Sequence, residues 1–460
     1  NKMNFKKINN IHFVGIGGIG MSGIAELLIN LGFNVSGSDL IESELTDKLK
    51  KKNATIYYSH NPKNVHDCDV LVYSSAIDIN NVELIEAKSR KIPIFKRAEM
   101  LGELVTLKKT SIAVSGTHGK TTSTTMIGEI LTTANLDPTL IVGGLVKNLK
   151  TNSKIGDGDY IIVEADEFDK SFLQIKPTIA VLTNIEEEHM DCYNGINDLL
   201  FSFTKFANSV PFYGSVIACI DSPYIKKIIK NIKRPITTYG ISKDAIIRAS
   251  NLKFDKNKSS YELLYNNTSF GQISLKAPGC HNILNSLAAA AVAFDLKLNP
   301  KKILKGIENY SGVRRRFEIK GIRKDILVVD DYAHHPTEVF ETIRAAKKGW
   351  NRRLITIFQP HLFSRTKAFY KDFAKALNES DIIILTDIYP AREKPQKNIS
   401  SKLIFNEIKK HNHKNLFFLD NIENINPFLT DIVKRNDMVL TMGAGTIWRY
   451  GQKFYDYLNK

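Results

Sequence analysis

Cysteine is sparse in this 460-residue chain. Cys68, Cys192, Cys219 and Cys280 are scattered, and no two stand in a C-x-x-C spacing. That argues against a disulfide framework and a zinc ribbon, and a reducing, cytoplasmic setting is expected. No run of 18 or more apolar residues occurs, so no membrane-spanning segment is expected. Lys2, Lys6 and Lys7 precede an apolar stretch from Ile11, but glycines and then Glu26 follow it. That pattern reads as a glycine turn and helix rather than a signal peptide. Internal repeats and low-complexity linkers are also missing. Acidic residues are in deficit: 48 Asp and Glu stand against 64 Lys and Arg, for a net charge of +16. The excess admits a polyanionic partner. The basic residues are nevertheless spread along the chain, at 226–233, 301–305 and 409–414 for example, without aromatic residues between them. Nucleic acid is therefore not the expected partner, and small anionic substrates are.

What remains is an ordinary globular composition, 43% hydrophobic and 24% charged. The length fits about three domains of roughly 100–200 residues. Apolar strands are predicted at 11–14, 33–37, 70–73 and 93–95, with a helix through about Leu31 and another at 82–89. This alternation predicts a parallel sheet with crossover helices, ending near Leu107. A junction at 108–110 leads to strands at 111–115, 160–164, 179–183 and 215–219. Period-two alternation over 246–275 predicts a small antiparallel sheet, and an alanine-rich helix follows at 283–294. A third α/β unit begins near Gly321, with strands at 326–329, 354–358, 382–386, 416–419 and 438–441. The fold class is α/β with domains at 1–107, 108–320 and 321–460.

Gly15, Gly17 and Gly20 form G-x-G-x-x-G between a strand and a helix, with Gly18 at one of its variable positions. Such glycines let the backbone approach a pyrophosphate at a helix N-terminus. Asp39, at the end of the next strand, stands where a ribose-binding acid would. Alone, this motif reads as a nicotinamide cofactor site, a uridine nucleotide site or a turn needed only for packing. Ser115, Gly116, Thr117, His118, Gly119, Lys120 and Thr121 form a second glycine turn after a strand. There Lys120 would neutralise β/γ-phosphate charge and the Thr121 hydroxyl would face Mg²⁺. The two glycines are three apart rather than the five of the strict phosphate loop. Glu164, Ala165, Asp166 and Glu167 end a strand, and carboxylates there suit Mg²⁺. Glu186, Glu187, Glu188, His189 and Asp191 follow the next strand and suit a second divalent ion. His281, Asn282 and Asn285 open the alanine-rich helix, as caps or as adenine readers. Arg314, Arg315 and Arg316 form either a phosphoryl clamp or a basic linker. Asp330, Asp331, Tyr332, Ala333, His334 and His335 close the first strand of the third unit.

These motifs, in this order and over nearly the whole chain, resemble the Mur ligase family of peptidoglycan synthesis. The stretches 11–25, 116–122, 164–167, 183–191, 279–285, 315–318, 330–338 and 358–366 carry the resemblance. It implies a Rossmann-like N-terminal domain for a UDP group, a phosphate-loop ATPase-like central domain and a Rossmann-like C-terminal domain. It also implies ATP and Mg²⁺. Lys120 and Arg316 would contact the γ-phosphate, Asn285 the adenine and Asp331 the ribose. Thr121 and Glu164 would hold one Mg²⁺, and His189 would help hold a second. Gly15, Gly17, Gly18, Gly20, Asp39 and Ser75 would face the UDP-substrate. The catalytic set implied is Lys120, Glu164, His189 and Arg316. The wording of the 15–20 motif implies UDP-N-acetylmuramate and L-alanine as substrates, joined through an acyl phosphate. Neither nucleic acid nor a membrane is an implied partner, and the implied state is a monomer or homodimer. Three departures stand out: Phe168 replaces a usual Ser, Ala333 a usual Gly, and 387–395 is a variant loop.

Two other classes compete. A nicotinamide oxidoreductase explains the first glycine turn but leaves the second unused. A basic nucleic-acid-dependent NTPase explains the charge but lacks helicase-like motifs. An amide ligase accounts for both turns, the acidic cluster and the length.

Overall fold

The computed structural model describes residues 7–459 apart from 75, 147–150, 189, 191 and 392. Its packing divides the chain into two units. One comprises Asn1–Ser250, Glu262–Ile273 and Leu284–Ser311, the other Asn251–Tyr261, Ser274–Ile283 and Gly312–Lys460.

The first unit opens with β1 (Asn10–Val14), β2 (Asn34–Ser38), β3 (Thr55–Tyr57), β4 (Val70–Tyr73) and β5 (Ile94–Lys96). They form a parallel sheet in the order β3-β2-β1-β4-β5. Helices α1 (Ile19–Asn30), α2 (Glu44–Lys51), α3 (Val82–Ser89) and α4 (Arg97–Val105) alternate with these strands. Central β1 is apolar because both faces of a parallel sheet are covered, and Phe13 and Val14 are fully buried.

The next sheet is built from β6 (Thr110–Ser115), β7 (Thr139–Val146), β8 (Thr151–Lys154), β9 (Tyr160–Glu164), β10 (Ile179–Leu182), β11 (Ser215–Cys219), β12 (Ile236–Gly240), β13 (Ile247–Asp255), β14 (Lys258–Tyr265) and β15 (Thr268–Leu275). Its order is β15-β14-β13-β12-β11-β10-β6-β9-β7-β8. Helices α5 (Lys120–Thr133), α6 (Ile196–Asn208), α7 (Pro223–Ile228), α8 (Cys280–Asp295) and α9 (Pro300–Asn309) belong to the same stretch. The strands expected to form a small separate sheet instead extend this one, as β13, β14 and β15, and β14 and β15 are joined by Asn266 and Asn267, both at positive φ. That is the signature of a two-residue hairpin turn. Helix α8 starts three residues before the expected position, and its alanines 288–291 are fully buried.

The second unit carries β16 (Glu318–Arg323), β17 (Ile326–Asp331), β18 (Arg353–Phe358), β19 (Ile382–Thr386), β20 (Leu416–Leu419) and β21 (Asp437–Met442). Their order is β16-β17-β21-β18-β19-β20, with only β16 antiparallel to its neighbour. Helices α10 (Pro336–Gly349), α11 (Phe363–Leu377), α12 (Lys402–Lys410), α13 (Ile425–Ile432) and α14 (Ile447–Tyr457) complete it. Alternate residues feed two cores. Leu327, Val329, Leu354 and Leu440 join one, and Val328, Ile355, Ile357 and Val439 join the other. Strand β16 runs across residue 320. Among the described residues, no helix is long and apolar enough to cross a membrane.

Candidate active site

The first glycine turn leaves β1 through Gly15, whose φ of +83° favours glycine. The amides of Gly15 and Ile16 both donate to the Ser38 carbonyl, at 2.8 and 3.0 Å. Asp39 then closes on the turn, its Oδ2 accepting from the Gly17 amide at 2.8 Å and its Oδ1 from Ile41 at 3.2 Å. A Cβ on Gly17 would lie 2.8 Å from Asp39 Oδ2, so only glycine lets that carboxylate approach. Strand order reverses on either side of β1, and open α/β sheets bind ligands at that point. Among the described residues no side chain caps α1 there, and a helix N-terminus attracts anions. Ser75 lies outside the described residues.

Beneath the turn, Glu83 is fully buried. It accepts hydrogen bonds from Ser38 Oγ at 2.5 Å and Asn64 Nδ2 at 2.6 Å, and His12 Nε2 lies 3.7 Å away. Burial alone would raise its carboxyl, but these partners outweigh that and hold it at about 2. Neither Glu83 nor Arg97 was singled out from the sequence. The guanidinium of Arg97 lies over the first turn of α1, 2.8 Å from where a Gly20 Cβ would stand. The basic pair at 96 and 97 is its only sequence signal.

The second glycine turn leaves β6 and enters α5. Gly116 and Gly119 have φ of +140° and +80°. A Cβ on Gly116 would overlap Thr183 Oγ1, and one on Gly119 would overlap Asn285 Oδ1. Thr183 and Asn184, just past β10, brace the loop. Thr183 Oγ1 donates to the His118 carbonyl at 2.6 Å, and Asn184 Oδ1 accepts from the His118 amide at 2.8 Å. The Glu186 amide donates to Thr117 Oγ1 at 2.9 Å. The sequence points to a metal cluster at 186–191 but not to this bracing, which Thr183 and Asn184 at the strand end supply. Among the described residues, no side chain caps helix α5 and buried Ser115 Oγ has no hydrogen-bond partner. A cradle closed to any Cβ, open helix amides and an orphaned hydroxyl fit a nucleotide phosphate chain.

Lys120 opens α5 and is largely buried. Its Nζ donates to the Gly116 carbonyl at 2.6 Å and to Glu167 Oε2 at 2.9 Å. Burial opposes its charge, but Glu167 and Asp166 outweigh that and hold the ammonium well above its ordinary range. Burial pushes the Glu167 carboxyl up to about 7 even with Lys120 beside it. At the end of β9, Glu164 Oε1 accepts from the Gly143 amide at 2.7 Å. Thr121, next to Lys120, is buried. A hydroxyl and a carboxylate are hard oxygen donors of the kind Mg²⁺ prefers. His189 lies outside the described residues. Its neighbour Glu188 is buried, and His118 Nε2 stands 3.4 Å from Glu186 Oε2. Asn285, on α8, accepts from Ser123 Oγ at 3.2 Å and so stands against the loop. Asn282 donates instead to the Pro278 carbonyl, at 2.7 Å.

In the second unit, the three arginines separate. Arg315 Nε lies 3.1 Å from Asp330 Oδ2, its Nη2 donates to the Gly443 carbonyl, and its guanidinium covers Tyr332. Arg316 Nη1 lies 3.3 Å from Glu338 Oε1. Asp331 is buried, accepting from Phe317 and Ala333 amides at 2.7 Å each, and burial raises its carboxyl to about 6. Those bonds hold a loop in which Arg315 and Phe317 both have positive φ. Gly443 and Gly445, between β21 and α14, make a third strand–glycine–helix junction, one that carries no phosphate-loop spacing in the sequence.

Two uncapped glycine turns, each at the end of a central strand, define an α/β protein built to hold phosphate groups. Family profiles resolve which. The Mur ligase family catalytic domain matches residues 10–109, the Mur ligase middle domain 114–293 and the Mur ligase glutamate ligase domain 315–445. The chain belongs to the Mur ligase family. It is 45% identical over 456 residues to the UDP-N-acetylmuramate–L-alanine ligase of Geotalea daltonii, covering 99% of each. Among solved structures it resembles the UDP-N-acetylmuramate–alanine ligase MurC of Thermotoga maritima, with 28% identity and a TM-score of 0.83. That match covers 98% of this chain and 99% of the other. The murein peptide ligase Mpl of Psychrobacter arcticus is 25% identical, with a TM-score of 0.71 over 98% of this chain and 99% of its own.

Proposed function

We propose that this chain is an ATP-dependent amide ligase joining L-alanine to the lactyl carboxylate of UDP-N-acetylmuramate in peptidoglycan precursor synthesis. The observation that carries the reading is its likeness, over its whole length, to an enzyme of that name. Residues 1–107 hold the UDP-substrate, 108–320 hold ATP, and 321–460 form the C-terminal domain. The protein works in the cytoplasm as a monomer or homodimer, without nucleic acid or membrane.

A carboxylate oxygen of the substrate attacks the γ-phosphorus, and the bond to ADP breaks. The alanine nitrogen then attacks the acyl carbon, phosphate leaves and the amine loses a proton. The chain positions and neutralises rather than reacting covalently. The turn from Gly116 to Gly119 cradles the phosphates, with the Ser115, Thr117 and His118 positions completing the loop. Lys120 and Arg316 sit on the γ-phosphate, Asn285 faces the adenine and Asp331 the ribose. Gly15, Gly17, Gly18, Gly20, Asp39 and Ser75 receive the UDP group. Thr121 and Glu164 would hold one Mg²⁺ and His189 would help hold a second, and the ions would supply charge neutralisation on the phosphates.

The test is a panel of amino acids and a tripeptide with UDP-N-acetylmuramate and ATP, reading phosphate release. Release with L-alanine is expected. Release only with the tripeptide would reassign the chain to the activity named for the murein peptide ligase. Release with none of them would overturn the ligase reading.

A further inference from the structure

The Lys120 ammonium has three N–H donors. Its partners are the Gly116 carbonyl at 2.6 Å, the Thr117 carbonyl at 3.3 Å and the Glu167 carboxylate at 2.9 and 3.2 Å. All three donors are therefore engaged, and a phosphate oxygen reaches this lysine only by displacing one partner. The two carbonyls belong to the loop itself, which Thr183 and Asn184 brace. The remaining partner, Glu167, is also the one that carries negative charge.

Glu167 is firmly framed. It is buried, and its backbone carbonyl accepts from the Tyr193 hydroxyl at 2.5 Å. The two residues after Phe168, Asp169 and Lys170, both have φ of +54°, where L residues are rarely found. Lys170 Nζ is anchored on Asp198 Oδ2 at 2.8 Å, and the Phe172 amide on the Asp166 carbonyl at 2.9 Å. A carboxylate that merely met the lysine by chance would not need a strained, tied segment behind it. Burial makes its charge dependent on that pairing rather than on solvent.

We infer that Glu167 is the resident counter-ion of Lys120, a positioning residue that a γ-phosphate must displace, and that it sets the affinity for ATP relative to ADP. The inference rests on the ATP reading above. ADP brings only its β-phosphate toward Lys120 and competes less with the pair, whereas the added γ-phosphate of ATP has to separate it. Once the γ-phosphoryl group has left as phosphate, Glu167 takes the lysine back and the product state is relieved.

Calorimetric titration of the full chain with Mg²⁺ and ATP or ADP, without UDP-sugar, tests this. Glu167→Gln keeps the shape and removes the charge. It should tighten ATP about tenfold, equal to ~1.4 kcal/mol, and change ADP by less than about twofold. Glu167→Asp keeps the charge and should keep the wild-type ratio of the two affinities. Should Glu167→Gln fail to fold, Tyr193→Phe removes the hydrogen bond that holds the Glu167 backbone without altering charge, and should shift the ratio in the same direction by less. Equal changes for both nucleotides, or weaker ATP binding, would overturn the inference. A wild-type chain that binds neither nucleotide would overturn the ATP reading first, and the inference with it.

Discussion

Gly119 stands so close to the Asn285 side chain that a Cβ at this position would overlap Asn285 Oδ1. Its φ of +80° is also one that other residues adopt at a cost of ~1–2 kcal/mol. Gly119→Ala should therefore deform the loop, weaken ATP by at least about tenfold and lower the melting temperature. Titration with ATP beside a thermal scan checks this, and unchanged ATP affinity would mean that Gly119 does not face the nucleotide.

Lys120→Ala removes the nearest cation from the transferring phosphoryl group, a loss of about 10²–10³-fold in rate. It also strands Glu167 as a buried carboxylate, so the variant should melt earlier than wild type. Adding Glu167→Gln should restore the melting temperature and leave the rate low. Recovery of both would show that Lys120 acts through stability alone.

The first glycine turn should take a uridine nucleotide. UDP-N-acetylmuramate should raise the melting temperature and NADH should not, because a ligand of the native state stabilises it by mass action. Gly17→Ala, whose Cβ would stand 2.8 Å from Asp39 Oδ2, should abolish that protection. Protection by NADH alone would revive the dehydrogenase reading.

Glu83 makes acid stability specific to the N-terminal sheet. Its folded value of about 2 lies below the ordinary 4.5, so the folded state is favoured at pH values above that ordinary value. The stabilisation, on the order of a few kcal/mol, fades as pH falls from 4.5 toward 2. Glu83→Gln should melt earlier at pH 7 and lose less on acidification. Parallel melting-temperature profiles for the two proteins would remove Glu83 from this role.

Glu164→Ala should raise the Mg²⁺ requirement at every pH. A neutral imidazole is needed for coordination, so the His189 contribution should fall as pH drops through its titration. His189→Ala should therefore flatten the acid limb of the Mg²⁺ dependence. If it leaves both the limb and the requirement unchanged, His189 is not a ligand and Glu164 still can be.

Strands at 70–73, 160–164, 215–219, 382–386 and 416–419 and the helix at 82–89 are found where the sequence places them. They are apolar runs or segments flanked by clear breaks. Three of the strands it missed have weak patterns: β12 is rich in threonine, β7 is interrupted by Gly143 and Gly144, and half-exposed β16 mixes charge with glycine. Both nucleotide-type turns were legible because glycine after a strand and before a helix is a local signal.

By itself the sequence determined three α/β sheets, two glycine turns and the order of the motifs, since each depends on neighbours a few residues apart. Which side chains complete those turns was decided only by the tertiary structure. Asn285 meets Gly119, Asn184 braces His118, Glu167 holds Lys120 and Glu83 supports Ser38 across separations of 45 to 166 residues. Strand order in the sheet brings those residues together, and the burial that follows sets their charge.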